Sequence, residues 1–240
     1  MKYKKYKKES EYSYALGSFA VLNLIREMPY LAEGVYCHSE LEAASLTLLK
    51  GACKEAGIPF FEGADREVER VRNKDRELVF AAFQKFRSKL DRARPHIVLD
   101  RPSDMGNLGS IFRTALGFGF RDIAIIGNAA DHLHPKTVRA SMGALFSLRI
   151  QHFASFEDYL LACGNEEREL YCFMLGSSTE LRELVREPER SFSLVFGNES
   201  SGLDESYKGR GSAVYIRHSD EIDSLNLGIA ASIAMYHFTS

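Results

Sequence analysis

Ser191-Phe-Ser-Leu-Val-Phe-Gly-Asn-Glu-Ser-Ser-Gly202 and, further on, Ser224-Leu-Asn226 are the stretches around which the rest of the chain is arranged. In the first, the apolar run Leu194 to Phe196 has the length of a short strand. It breaks at Gly197 into a polar loop whose backbone amides can face a ligand. The second follows another apolar run, Ala213 to Ile216, and a polar loop, and it opens a helix through Gly228-Ile-Ala-Ala-Ser-Ile-Ala234. Ser224 or Asn226 can cap that helix.

Upstream, Ile97 to Leu99 is a buried-strand candidate ending at Asp100, and a turn-rich loop leads from it into Asn107. Leu108, Ile111, Phe112, Ala115 and Leu116 then follow the spacing of one buried helical face, leaving Asn107, Ser110, Arg113, Thr114 and Gly117 on the other. Asn107 reads equally as a helix cap. Ile123 to Ile126, Leu148 to Gln151 and Leu170 to Leu175 complete a set of six strands alternating with helices, which predicts a largely parallel α/β sheet. Between them, His132 and His134 lack a third ligand and read as loop residues.

The N-terminal half carries its own alternation. A helix is expected from Gly17 to Glu27, a strand over Gly34 to Cys37, a helix over Leu41 to Ala56, and a strand over Ile58 to Phe61. A charged helix, Arg66 to Arg72, and an apolar run, Leu78 to Phe83, close a small sheet. The basic, Pro-terminated stretch from Gln84 to Pro95 marks the boundary. Ahead of it all, Lys2, Lys4, Lys5, Lys7 and Lys8 interleave with Tyr3 and Tyr6. Such an arm can hold phosphates and stack on bases, but the expectation for a terminal lysine run is a disordered, solubilising tail.

The chain has 240 residues, 45% of them hydrophobic, and its 31 Lys and Arg against 33 Asp and Glu leave a formal charge of −2. That composition builds folded cores and does not by itself announce nucleic-acid binding. Cys37, Cys53, Cys163 and Cys172 have neither zinc-site nor disulfide spacing, so no metal is expected and a reducing cytoplasm fits. No apolar run approaches the roughly 20 residues of a membrane span, and the start has no signal-peptide core. Dinucleotide, phosphate-loop and nucleophile-elbow fingerprints are all absent.

Gly197-Asn-Glu199, Ser224-Leu-Asn226 and Asn107-Leu-Gly-Ser-Ile-Phe-Arg-Thr114, in that spacing and with the last upstream, resemble the three signature motifs of the SpoU/TrmH-type (SPOUT) RNA ribose 2′-O-methyltransferases. The resemblance covers roughly Ile97 to Ser240. A looser one, over Tyr12 to Phe83, is to the family's L30e-like, ribosomal-protein-like domain. It implies a basic arm (1–11), an RNA substrate-binding domain (12–83), a linker (84–95) and a methyltransferase domain (96–240) whose C-terminal chain forms a deep trefoil knot. Sequence physics alone argues against a knot, since true knots are essentially absent from folds.

The resemblance further implies S-adenosylmethionine as cofactor, rRNA or tRNA as substrate, and a homodimer, with no metal and no membrane. Backbone groups of Leu175, Gly176, Gly197, Ile216 and Leu225 would meet the cofactor. Asn107, Arg113, Glu199, Ser224 and Asn226 would line the catalytic site, with Glu199 fixing loop and Arg geometry and Ser224 and Asn226 holding the target ribose or phosphate. Arg139 and Ser141 would lie near the RNA. Two departures stand out. Arg217-His-Ser-Asp-Glu-Ile-Asp223 replaces the family's Pro-containing continuation, and Asn73-Lys-Asp-Arg76 replaces its more regular Asn-His-Gln-Gly run. Loss of cofactor binding through the first would leave a non-catalytic RNA-binding protein, the rival reading.

Overall fold

The computed structural model describes residues 3–163, 168–184 and 190–239. By internal contacts the chain divides into two units, Met1–Phe86 with Asp131–Ser147, and Arg87–Ala130 with Leu148–Ser240. Met1 and Lys2 of the basic arm, and Ser240, lie outside the described residues. The sequence reading keeps residues 131–147 with the C-terminal half, whereas their contacts group them with the first unit.

The first unit is a four-stranded sheet in the order β1-β4-β2-β3. β1 (Tyr12–Leu16) and β2 (Ala32–Cys37) flank β4 (Val79–Gln84) antiparallel, and β3 (Phe60–Phe61) adds parallel to β2. Helices α1 (Ser18–Glu27) and α2 (Ala43–Ala56) pack together, burying Val21, Leu24, Leu49 and Cys53. α2 stops because Gly57 turns left-handed, φ 68°, and lets its own and the next amide bond back to the last turn. α3 is Asp65–Val71. Strand β1 was not expected from the sequence. It starts in polar company, yet four of its five residues are buried, because Tyr14 and Leu16 face an aromatic cluster and Ser13 gives its hydroxyl to the Leu133 carbonyl.

The arm departs furthest from expectation. Tyr3 is only 3% exposed and packs edge-on against Tyr12, Tyr14, Tyr36 and Phe80. A segment with that much buried aromatic surface is not a free tail. Ser141 is likewise withdrawn from any RNA, being fully buried with its hydroxyl on the Val138 carbonyl. Arg139 sits 2.8 Å from the buried Glu77 carboxylate, so its charge is already answered within this unit.

The second unit holds a seven-stranded sheet, every pair parallel, in the order β7-β6-β5-β10-β8-β11-β9. Its strands are β5 (His96–Asp100), β6 (Asp122–Ile126), β7 (Arg149–Phe153), β8 (Glu169–Phe173), β9 (Thr179–Glu180), β10 (Phe192–Phe196) and β11 (Ser212–Tyr215). All six expected strands are present within a residue or two. The two-residue β9 carries too little pattern to be read from sequence. The central strands are buried on both faces, as near-continuous apolar runs require. α6 (Phe156–Cys163) covers Val98, Ala124 and Val195 on one face. α7 (Leu227–Thr239) lies on the other, with Phe238 against Tyr171 and Phe192, and packs on α4 (Met105–Gly117). The expected linker is pinned here too, since Ser88 exchanges hydrogen bonds with both backbone groups of Ile150 and Leu90 enters the core. A short helix, α5 (Pro135–Ala140), belongs to the first unit, where it packs on β1.

At the amino ends of these strands a buried polar chain runs from Arg168 to Ser193 (3.2 Å), to Tyr159 (2.6 Å), to the His96 Nδ1 (2.9 Å). The His96 Nε2 donates to the Asp91 carbonyl at 2.9 Å, and in the neutral ring that burial favours, Nδ1 accepts from the Tyr159 hydroxyl. Burial, reinforced by the Arg168 charge, lowers the imidazole pKa to about 4. The unfolded chain binds this proton near pH 6.5 and the folded one near 4, so stability is full above the first value and drains away as pH falls to the second. The fall should reach about 3 kcal/mol. Urea titrations of wild type and His96→Gln across pH 7 to 4 measure it. The wild type should lose more stability than the variant over that window, and parallel curves would contradict the assignment.

Candidate functional site

The carboxyl ends of β10, β8 and β11 open into a cavity of about 370 Å³. Three loops wall it: Phe173 to Leu175 after β8, Phe196 to Leu203 after β10, and Tyr215 to Leu225 after β11, with Leu227 and Ala230 of α7 closing one side. Phe173 and Phe196 stack at 4.6 Å beneath it. This is where ligands bind in open parallel sheets, outside the carboxyl edge. The convergence follows from strand order, which seats β10 between β5 and β8 and so brings its loop against both neighbours.

Of the residues expected at the cofactor, Leu175, Gly197, Ile216 and Leu225 line the cavity, and so do Glu199 and Ser224. Gly176 follows Leu175 with a left-handed φ of 69° but is not in the lining. Gly197 needs a different explanation from the expected one. A Cβ there would fall 2.1 Å from the Gly202 carbonyl carbon and 2.2 Å from the Leu203 nitrogen. The space is filled by the chain's own loop, which folds back through an Asn198 to Gly202 bridge, not kept open for a ligand.

Asn107 and Asn226 lie outside the lining but are wired to it. The Asn226 side-chain amide donates to the Asn107 Oδ1 at 3.0 Å, and the Asn107 side-chain amide donates to the Glu199 Oε1 at 3.3 Å. Glu199 also accepts from the Ser103 amide (2.9 Å), the Ser103 hydroxyl (2.8 Å) and the Asp104 amide (3.0 Å). Burial pushes its carboxyl up, yet these hydrogen bonds from Ser103 and Asp104 together outweigh it, and the net direction is down. Glu199 therefore stands as a charged clamp between the β10 loop and the entry to α4. The cap of α4 is Asp104, whose carboxylate accepts from the Asn107 backbone N–H, so Asn107 sits inside the first turn and its side chain is free for the network. Asn226 caps α7 through Gly228 (2.9 Å) and Ile229, while Ser224 makes no such bond.

Arg113 is exposed on α4, and no hydrogen bond or ion pair holds it among the described residues. It is about 9 Å along the helix from Asn107 by the helical rise and contributes nothing to this cavity lining. Glu199 therefore does not fix its geometry within the chain. In the atypical loop, Arg217 lies 3.6 Å from Glu180 and His218 lines the cavity, its ring bonded to the Ile216 carbonyl at 2.8 Å. Sequence reasoning missed Ser103, Asp104, Asn198 and His218. The Ser103 and Asp104 roles depend on amides meeting a carboxylate 96 and 95 residues away, for which a sequence carries no signal. His134 caps α5 by accepting from the Lys136 amide. No cluster of metal-ligating residues occurs among the described residues, and none of their helices is long and apolar enough to cross a membrane.

An all-parallel α/β sheet with three joined motifs around a cavity at its carboxyl edge defines a class, and comparison with known proteins gives it a name. Residues 94–236 match the model of the SpoU rRNA Methylase family, and the chain belongs to that family. The chain is similar to a 23S rRNA (guanosine(2553)-2'-O)-methyltransferase, RlmP, of Bacillus subtilis, 30% identical over 152 residues, 62% of this chain and 59% of that protein. It is also similar to a 23S rRNA (uridine(2479)-2'-O)-methyltransferase of Streptomyces viridochromogenes, 29% identical over 144 residues, 58% of this chain and 50% of that protein. The chain thus spans between half and three fifths of the length of these relatives. In fold it resembles the AdoMet-bound rRNA methyltransferase from Sinorhizobium meliloti, with a TM-score of 0.80 at 24% identity, covering 95% of this chain and 87% of that one.

Proposed function

We propose that the protein is an S-adenosylmethionine-dependent methyltransferase acting on a ribose 2′-hydroxyl of rRNA or tRNA. The observation that carries this reading is the hydrogen-bonded line Asn226, Asn107, Glu199, which ties the three motifs together beside the cavity. The cavity suits the cofactor in size and lining: about 370 Å³ lies within the range of small-molecule sites, and the walls mix apolar side chains with loop backbone. Leu175, Gly176, Gly197, Ile216 and Leu225 would hold its adenine and ribose, largely through backbone groups. When bound, it supplies an electrophilic methyl group on sulfur.

The residues of the chain position the acceptor. Ser224 and Asn226 would hold the target ribose or its phosphate, with Asn226 kept in place by Asn107 and the α7 amides. Glu199 would keep the loop after β10 docked on Ser103 and Asp104, holding the cavity wall in place. Arg113 would grip the phosphate beside the target and polarise the hydroxyl. A guanidinium stays protonated and serves better as a charged fork than as a base. Transfer would form a bond from the ribose 2′-oxygen to the methyl carbon as that carbon's bond to sulfur breaks, leaving the cofactor a neutral thioether, and the hydroxyl proton would pass to water.

This reading carries further parts. The C-terminal chain would form a deep trefoil knot, supported by the shared cavity of the β10 and β11 loops. Residues 12–83 would be an L30e-like substrate-binding domain and 96–240 the methyltransferase domain, joined by 84–95. The protein would be a homodimer, supported by the exposed Ile229, Ile233 and Tyr236 along α7, at helical spacing. A second copy would let the exposed Arg113 reach a partner's cavity. Calorimetry with S-adenosylmethionine, followed by transfer of labelled methyl to total RNA from a strain lacking the protein, tests the function. Micromolar binding and label at a 2′-O position are expected. Absence of binding would reject the reading in favour of a non-catalytic RNA-binding protein.

A further inference from the structure

The arm that the proposed function leaves unused is built, not loose. Tyr3 is seated in its aromatic cluster, and its hydroxyl donates to Glu33 at 3.0 Å. The Tyr14 hydroxyl donates to the Lys4 carbonyl at 2.5 Å. Three residues after Tyr3, the Tyr6 hydroxyl donates to the Asp131 carboxylate, and its ring meets His134 edge-on. Lys85 closes the far end, with its ammonium 2.7 Å from the Lys8 carbonyl and 4.6 Å from the centre of the Tyr6 ring.

Those contacts use the tyrosines and the backbone. They leave Lys4, Lys5, Lys7 and Lys8 exposed, and no carboxylate pairs with any of the four among the described residues. Glu9 and Glu11 follow in sequence, so the cationic row is short and bounded. Holding four like charges together on a fixed backbone is unfavourable in the free protein, and a polyanion relieves it. Fixing the backbone beforehand also removes part of the ordering cost that a disordered basic tail would meet on binding.

We infer that this tyrosine-anchored arm is an RNA phosphate clamp, in which Lys4, Lys5, Lys7 and Lys8 track the backbone of the substrate RNA without reading its sequence. The inference rests on the methyltransferase reading for the identity of its partner. It explains how a chain with a net charge of −2 attracts a polyanion: the charge is concentrated locally while the whole stays near neutral.

The probe is a fluorescein-labelled RNA stem-loop of mixed sequence, titrated with protein by anisotropy over a series of salt concentrations. For a variant with Lys4, Lys5, Lys7 and Lys8 all changed to Ala, the plot of log affinity against log salt should be shallower by about 3, since each lost phosphate contact removes somewhat less than one unit. Tyr6→Ala keeps every lysine but releases the middle of the arm from Asp131 and His134. It should lower affinity several-fold with the slope nearly unchanged. An unaltered slope in the lysine variant overturns the clamp, and wild-type affinity in Tyr6→Ala overturns its anchoring, leaving a simple polycation. Cofactor binding and methyl transfer to total RNA by the wild type are measured alongside. Their presence with an inert arm rejects the clamp alone, and their absence rejects the methyltransferase reading on which it rests.

Discussion

Gly197→Ala, a change of one methyl group, should cost the protein its proposed cofactor site. The added carbon would stand 2.1 Å from the Gly202 carbonyl carbon and 2.2 Å from the Leu203 nitrogen, both main-chain atoms without a rotamer to escape into. The loop from Asn198 to Leu203 must move outward, and that loop is one wall of the cavity. Its retreat would also pull Glu199 from the Ser103 and Asp104 amides. Overpacking of this kind costs about 1–3 kcal/mol or more, or roughly 2 to 12 °C in thermal midpoint for a protein of this size. Affinity for S-adenosylmethionine should fall by about a hundredfold or more, the equivalent of about 2.7 kcal/mol. Gly176→Ala is the control. There a Cβ meets nothing within 4 Å, and the penalty is the left-handed φ alone, about 1 to 2 kcal/mol. Calorimetry should show its cofactor affinity changed only a few-fold. A Gly197→Ala protein with wild-type midpoint and affinity would refute the packing argument.

The contrast between those two glycines shows what sequence conveys. Both read as backbone approaching a ligand, because a glycine after a strand signals only that a side chain is not wanted. It does not say what takes the space, and at Gly197 it is the chain itself. The periodic elements were legible. α4 announces its buried face through Leu108, Ile111, Phe112 and Ala115, and the central strands β5, β6 and β10 of the second sheet announce themselves as apolar runs, since each is covered on both sides. The N-terminal arm departs from its expected tail because a lysine-rich composition describes solvation, whereas its structure is decided by Tyr3 and Tyr6 and by partners at Glu33, Asp131 and Phe80 that are remote in sequence. Within the candidate site, the motifs identified Glu199, Asn107 and Asn226. In the fold the first holds Ser103 and Asp104 by their amides, and the others form the line leading to it.

Arg113→Ala should leave the fold and the cofactor affinity near wild type while reducing single-turnover methyl transfer by about a hundredfold or more, the order lost when charge stabilisation or positioning is removed. The side chain is exposed on the face of α4 opposite Leu108, Ile111, Phe112 and Ala115, and it takes no part in the cavity lining, so neither packing nor cofactor contact is disturbed. Arg113→Lys should recover little, because an ammonium keeps the charge but lacks the planar fork that bonds two phosphate oxygens together. Full rescue by lysine would reduce the role to charge, and a normal rate in the alanine variant would remove Arg113 from the reaction. Its distance from the cavity network gives a sharper test of where it acts. If Arg113 serves the cavity of a second copy, mixing Arg113→Ala with Glu199→Ala protein and allowing exchange should restore activity, since one cavity of each mixed dimer then has an intact Glu199 on its own chain and an intact Arg113 from the other. If Arg113 serves its own chain, no cavity in the mixture has both, and the rate should stay at the level of the single variants.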